Sequence, residues 1–249
     1  FKALRDETLA ELDYRREAAS LARMAEAVAP WPDLVVPAVV SSHSSERVLT
    51  VGWMEGPTLH ARFADPGSPE ERLALGERLV RAVLGPLFRA GLVNADAHPG
   101  NFIVLPGDRL GLLDFGAVSE VPAPLVRGLA ELISVVIDPT GHDLVARFEA
   151  AGTAVKRPDR GMVELLGEMA DLLGAPLRGR CAYRDDLLLL RLGEIKRRHP
   201  LRMLRFRMDP AVFPVFRALL GVYHALKHLE VEADLGPLLQ ELARDTTGG

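Results

Sequence analysis

The sequence predicts an α+β protein of two unequal lobes, a small one with strands and a larger, mainly helical one. Three observations predict it. Residues 5–28 repeat Ala, Leu, Glu and Arg at helical spacing and stop at Pro30-Trp31-Pro32. Two β-like runs follow, Leu34 to Val40 and Arg47 to Trp53, around the polar turn Ser41-Ser42-His43-Ser44-Ser45. Beyond Glu55-Gly56-Pro57 the periodic segments are predominantly helical. The Glu-Gly-Pro break is read as a hinge, dividing the chain into residues 1–56 and 57–249.

Ser68-Pro69-Glu70-Glu71 carries a helix start: Ser as N-cap, Pro at the first helical position, and Glu three residues after the cap. The helix it opens runs to about Arg89. Phe102 to Leu105 and Leu110 to Leu113 form a short hairpin around Pro106-Gly107-Asp108. From Pro122 onward the expected helices cover 123–137, 141–151, 161–174, 184–198, 209–229 and 234–244.

A chain of 249 residues, 48% hydrophobic, is long enough to bury a sizeable core. Its net charge of −4 argues against a general nucleic-acid binder, which needs a basic surplus. The single cysteine, Cys181, can form neither an internal disulfide nor a multi-Cys zinc site, which fits a reducing cytoplasm. No run reaches the ~18 apolar residues that span a bilayer; Val212 to Leu226 contains Pro214, Arg217 and His224. There is no signal peptide, and the start at Phe1 suggests a piece of a longer protein.

The chemistry is concentrated in Asn94-Ala95-Asp96-Ala97-His98-Pro99-Gly100-Asn101 and in Leu112-Leu113-Asp114-Phe115-Gly116. Phosphoryl transfer from ATP asks for one carboxylate to orient or deprotonate the acceptor, and for oxygen ligands that hold Mg²⁺ against the phosphates. Asp96, Asn101 five residues later, and the Asp of an Asp-Phe-Gly triplet, Asp114, have the spacing that supplies them. The intervening hairpin is what returns Asp114 to the loop. Asp96 is the expected catalytic residue and Asn101 and Asp114 the expected metal ligands. Asn94, His98, Gly100, Phe115 and Gly116 are the expected scaffold of the two motifs.

Two families of kinase-like fold fit less well. Eukaryotic-type protein kinases carry H-R-D and a long activation segment, for which helix-like sequence from Pro122 leaves no room. Aminoglycoside-type phosphotransferases carry an H-x-D-x-x-x-x-N loop that Asn94 to Asn101 approximates. The UbiB/AarF (ADCK-type) atypical kinase family accounts for more of the chain. Glu11-Leu12-Asp13-Tyr14-Arg15-Arg16-Glu17-Ala18-Ala19 resembles its E-x-D helix, and Arg47 to Thr50 with Trp53-Met54-Glu55-Gly56 resembles its strand into the hinge. Asp96 to Asn101 is similar to its D-P-H-P-G-N loop. The resemblance runs from about residue 7 to 120.

It implies a protein-kinase-like two-lobe fold, a nucleotide partner with ATP and Mg²⁺ as cofactors, and a bacterial protein supporting isoprenoid-quinone (ubiquinone-type) biosynthesis. Trp53, Met54 and Glu55 would form the adenine-facing hinge. One of Glu11 and Glu17 would pair with a strand lysine, the remaining acids, Asp13 among them, contacting an extension over the cleft. It further implies cytoplasmic localisation, peripheral at the inner face of the membrane, with a membrane lipid or quinone precursor as partner and a homodimer or biosynthetic complex as assembly. A nucleotide-binding pseudokinase is the alternative.

Departures from the pattern are local. The family's K-x-G-Q segment, nucleotide loop and lysine strand are absent from this sequence, Asn94 stands where relatives carry His, Ala97 replaces Pro, and Gly52 replaces a frequent Glu. Two further features are set apart. His224 and His228 have the i, i+4 spacing of metal ligands without the Glu of H-E-x-x-H, and are read as structural or solvated. Lys196 to Arg207 interleaves six cations with apolar residues. It is read as a solvated face with packed apolar partners, the alternative being an anionic membrane surface.

Overall fold

The computed structural model describes residues 13–247. The first helix, α1 (Tyr14–Val28), turns Leu21, Met24, Ala27 and Val28 to the interior. The expectation of one helix from residue 5 is corrected at its start. Asp13 has extended backbone and its carboxylate accepts from the Arg15 N–H at 3.0 Å, so it caps the helix from outside. Asp13 is thus a cap residue outside the helix, and residues 5–12, Glu11 among them, lie outside the described residues.

The axis of the core is α2 (Pro69–Ala90), which starts as its sequence predicts. Ser68 Oγ accepts from the Glu71 N–H at 3.2 Å and Glu71 Oε2 accepts from the Ser68 N–H at 2.7 Å, a reciprocal pair whose cap alone contributes about 1 kcal/mol. Gly91 ends the helix in the left-handed region, φ 64°.

A three-stranded sheet is ordered β1-β4-β3, with β1 (Leu34–Val35) parallel to β4 (Arg109–Leu112) and β4 antiparallel to β3 (Phe102–Leu105). The predicted hairpin is present, its turn using left-handed Gly107 and Asp108. The predicted strands at 34–40 and 47–53 are mostly irregular. Pro37 has no N–H to donate, and beyond it the pairing shrinks to a Val39–Val51 bridge flanked by Val40 N–H to Thr50 O and Gly52 N–H to Ala38 O, each 2.8 Å. An unexpected two-stranded ladder joins β2 (Leu92–Asn94) to β5 (Val118–Glu120) and closes the chemical segment between them.

The rest is mainly helical: α3 (Ala123–Ile137), α4 (Leu144–Ala150), α5 (Arg160–Gly174), α6 (Leu188–Arg198), the single turn α7 (Pro200–Met203), α8 (Phe213–His228) and α9 (Gly236–Arg244). Two small ladders were not anticipated, β6 (Thr153–Val155) with β8 (Phe206–Met208) and β7 (Cys181–Ala182) with β9 (Glu232–Ala233). One apolar cluster unites Leu21 and Met24 of α1 with Leu79 and Leu87 of α2, the hairpin, and Leu226 and Leu238. Residues on both sides of position 56 thus share a core. A second cluster, including Val135, Phe148, Leu165 and Ile195, lies among α3 to α6. No helix among the described residues is long and apolar enough to cross a membrane.

Candidate active site

The β2–β5 ladder presents its connecting segment as two arms, Ala95 to Asn101 and Asp114 to Ala117. Asn94 ties them together. Its Nδ2 donates to the Asp114 carbonyl at 2.7 Å, and its Oδ1 accepts from the Asp96 N–H at 3.0 Å. Carbonyls only accept and N–H groups only donate, so these partners fix the direction of the amide. A side chain that both donates and accepts thus bridges the two arms at position 94.

The Asp96 arm is closed on itself. Asn101 Nδ2 donates to Asp96 Oδ2 at 2.9 Å and to the Asp96 carbonyl at 3.2 Å. Between them His98 caps a single turn of 3-10 helix, its Nδ1 accepting from the Gly100 N–H at 3.0 Å. The Asn101 carbonyl accepts from the Leu113 N–H at 2.8 Å, which sets the hairpin's exit beside the loop. Asp114 follows with φ 57°, a left-handed conformation that costs a residue with a Cβ about 1–2 kcal/mol. Its Oδ1 accepts from the Gly116 N–H at 3.2 Å, while Phe115 is buried.

Glu17 reaches this motif from α1, its Oε1 accepting from the Phe115 N–H at 3.3 Å. The two predicted motifs and one of the three predicted acids are therefore brought together. Asp13 is engaged as a helix cap. In the hinge segment, Met54 lies against Gly111 of β4, while Trp53 is 90% exposed and Glu55 is exposed. Gly56 passes so close to β3 that a Cβ there would stand 2.2 Å from the Val104 carbonyl oxygen.

One supporting residue escaped the sequence reading. Gly221 on α8 backs the loop, and a Cβ there would lie 2.6 Å from the Ala97 carbonyl oxygen. An isolated glycine inside a helical pattern was the available signal. Beside the loop, His98 stacks near His60, and Phe63 lies against His224 and His228. Burial, then the neighbouring His228, His98 and His60, lowers the His224 pKa below its usual value.

The donor set suits a hard divalent cation. Asn101 bonds through Nδ2 and Asp114 through Oδ1, and Asn101 Oδ1 and Asp114 Oδ2 make no hydrogen bond among the described residues. No group of three or more His, Cys, Asp or Glu gathers as a metal site among the described residues. Two protein oxygens are compatible with Mg²⁺, which usually keeps water and binds through one or two carboxylates plus substrate phosphates.

Residues 1–145 match the ABC1 atypical kinase-like domain. The chloroplastic protein named Activity of bc1 complex kinase 3 of Arabidopsis thaliana is 35% identical over 112 residues, covering 45% of this chain and 16% of that protein. The probable protein kinase UbiB of Xylella fastidiosa strain M12 is 27% identical over 248 residues, 94% of this chain and 43% of that protein. The chain thus spans less than half the length of these relatives. Rv3197 of Mycobacterium tuberculosis, solved in complex with erythromycin, superposes with a TM-score of 0.76 at 26% identity, covering 100% of this chain and 62% of its own. The chain belongs to the ABC1 (UbiB/AarF) atypical kinase-like family.

Proposed function

We propose that the chain carries the catalytic-loop and metal-binding half of an Mg-ATP-dependent atypical kinase or ATPase. The observation that carries this reading is the closed loop Asp96–Asn101, joined through Asn94 and Leu113 to Asp114. In it, Asp96 orients or deprotonates an acceptor hydroxyl or a water, and Asn101 restrains the Asp96 carboxylate. Asn101 Oδ1 and Asp114 would hold the metal. A Mg²⁺ ion held by these oxygens would supply neutralisation of charge on the transferring phosphoryl group. Glu17 fixes the Phe115 backbone through Oε1 and leaves Oε2 for a phosphate-holding lysine, with Glu11, outside the described residues, the alternative partner. Trp53, Met54 and Glu55 would face adenine.

For the parent protein, the UbiB name borne by relatives supports a role in ubiquinone-type isoprenoid-quinone biosynthesis, with a membrane lipid or quinone precursor as partner. A pseudokinase that uses nucleotide as a conformational switch is the second reading, favoured by Asn94 standing where relatives carry His. Thermal shift with Mg-ATP on the protein completed upstream tests the site, with Asp114→Asn as control. Magnesium-dependent stabilisation lost in the variant is expected. No shift in either protein overturns nucleotide binding here, and binding without phosphoryl transfer or hydrolysis selects the pseudokinase.

A further inference from the structure

Four of the seven histidines meet beside the catalytic loop, and the function proposed above leaves three of them without a role. They come from three parts of the fold: His98 from the loop, His60 from the segment leaving the hinge, His224 and His228 from α8. Phe63 joins them. Its ring centroid lies 5.5 Å from that of His60, 5.1 Å from His228 and 6.1 Å from His224. His60 is 6.4 Å from His98, and His224 is 4.2 Å from His228. The rings thus run in one row from the loop to the helix.

Backbone hydrogen bonds fasten this row to the loop. Pro57 to Phe63 is a strap along β3: the Val104 N–H donates to the Pro57 carbonyl at 2.9 Å, and the Leu59 N–H to the Phe102 carbonyl at 2.8 Å. The His60 N–H donates to the Pro99 carbonyl at 3.2 Å. Thr58 Oγ1 accepts from the Ala61 N–H at 3.2 Å and closes the turn that carries Phe63. A displacement of Phe63 therefore pulls on Pro99 and Phe102, on either side of Gly100 and Asn101.

No counter-charge holds these imidazoles. The side chains of His60, His224 and His228 make no hydrogen bond or ion pair among the described residues, and His98 only accepts, through Nδ1, from the Gly100 N–H. Nearby charged groups are engaged elsewhere. Lys227 donates to the Asp186 carbonyl, Asp186 Oδ1 accepts from the Leu188 N–H, and Glu230 takes Arg72 and Arg184. Arg62 on the strap donates to the Pro66 carbonyl and has no acid among the described residues. Burial, and then the charges of His228, His98 and His60, hold the His224 pKa below its usual value, with no acid acting to raise it. Neutral rings pack as other aromatic rings do. Two imidazoliums one helical turn apart repel, and the face of Phe63 can ease only one cation.

We propose that His224 and His228 are positioning residues for the catalytic loop: uncharged, they hold Phe63 and through the strap the Pro99–Phe102 turn, and charged together they release it in acid. The consequence for nucleotide rests on the function proposed above; the release itself is a backbone event and does not.

Hydrogen exchange of the full chain followed by NMR at pH 7.5 and 5.5, expressed as protection factors at each pH, tests it. At pH 5.5, about one unit below the ordinary imidazole pKa, each imidazole that must stay neutral disfavours the closed contact by up to about tenfold. Protection of the Leu59, His60 and Asn101 amides should fall at least about threefold, while Leu165 and Leu166 in the second cluster keep theirs. His224→Gln/His228→Gln keeps polar side chains of similar size that do not titrate, and it should lose this pH dependence. Unchanged protection in the parent overturns the proposal. So does an equal fall in the double variant, which would assign the effect to His60 or His98, and so does a fall shared by Leu165 and Leu166, which is general acid unfolding. Mg-nucleotide affinity of the protein completed upstream should fall at least about threefold further in the parent than in the double variant over the same interval. Affinity that is present at pH 7.5 and falls equally in both overturns the coupling. Absence of binding at pH 7.5 counts against the function proposed above and leaves the exchange result to stand by itself.

Discussion

Replacing Asn94 should damage the metal ligand more than its modest size suggests. Asn94→Ala removes the bonds to the Asp114 carbonyl and the Asp96 N–H. At about 1 kcal/mol net for each, the loss is about 2 kcal/mol. For a chain of this size that lowers Tm by about 4–8 °C. The local effect is separable. Asp114 sits at φ 57°, and the Asn94 amide helps hold it against about 1–2 kcal/mol of backbone preference. Released, it relaxes, and a competent fraction reduced to about a tenth weakens apparent Mg-nucleotide affinity about tenfold. Asn94→Asp keeps the acceptor for the Asp96 N–H but cannot donate to the Asp114 carbonyl. It should therefore lose less Tm than Ala yet lose nucleotide affinity at least as severely. Thermal melts and calorimetric titration with a non-hydrolysable Mg-nucleotide, on the protein completed upstream, read the two effects. An Asn94→Asp protein that binds nucleotide like its parent would refute the reasoning, because the bond to Asp114 would then not set the metal ligand.

Two glycine substitutions should separate fold from site. Gly221→Ala presses on the Ala97 carbonyl and Gly128→Ala on the Ala150 carbonyl, where a Cβ would stand at 2.6 Å and 2.0 Å. Each should cost about 1–3 kcal/mol by overpacking, but only Gly221→Ala should also weaken nucleotide binding, as titration of both variants would show. His224 gives a pH dependence with a definite sign. Its folded pKa lies below the ordinary 6.5, so the unfolded chain takes up the proton first. Its contribution to stability is lost as pH falls through about 6.5 toward the folded value. His224→Gln should flatten that part of a Tm–pH profile. Cys181 should alkylate more slowly than a free thiol near pH 8, because burial and then the Asp186 charge raise its pKa; iodoacetamide labelling followed by mass spectrometry checks this.

What could be read from the sequence was what is local. The capping box at Ser68, the turn at Pro106-Gly107-Asp108 and the helix at 123–137 depend on residues a few positions apart, and each forms as its pattern dictates. The spacing from Asp96 to Asn101 to Asp114 was legible for the same reason, since one hairpin fixes it. The β2–β5 ladder was not. Its strands are three residues long and pair residues more than twenty positions apart, so no periodicity announces them. The start of α1 was missed because Glu and Asp suit both a helix and its cap, and at Asp13 the cap prevailed. The exposure of Leu201 and Leu204, 78% and 79%, was equally hidden, since an amphipathic run looks the same in sequence with or without a neighbour across it.

The arrangement of acids explains why these motifs must be so heavily tied. Glu17, Asp96 and Asp114 converge with no ion-pair partner among the described residues, and like charges in one cleft repel. Each is held instead by a fixed N–H dipole: the Phe115 backbone for Glu17, the Asn101 amide for Asp96, the Gly116 backbone for Asp114. Such bonds hold each carboxylate oxygen in place without an ion pair. On the proposed reading, the ligand oxygens are in place before a divalent cation arrives. That order of events suits phosphoryl transfer, where positioning and charge neutralisation carry most of the catalysis. It also bears on the pseudokinase reading, because a site that used nucleotide only as a switch would have no chemical need to hold Asp96 ready beside the two proposed metal ligands.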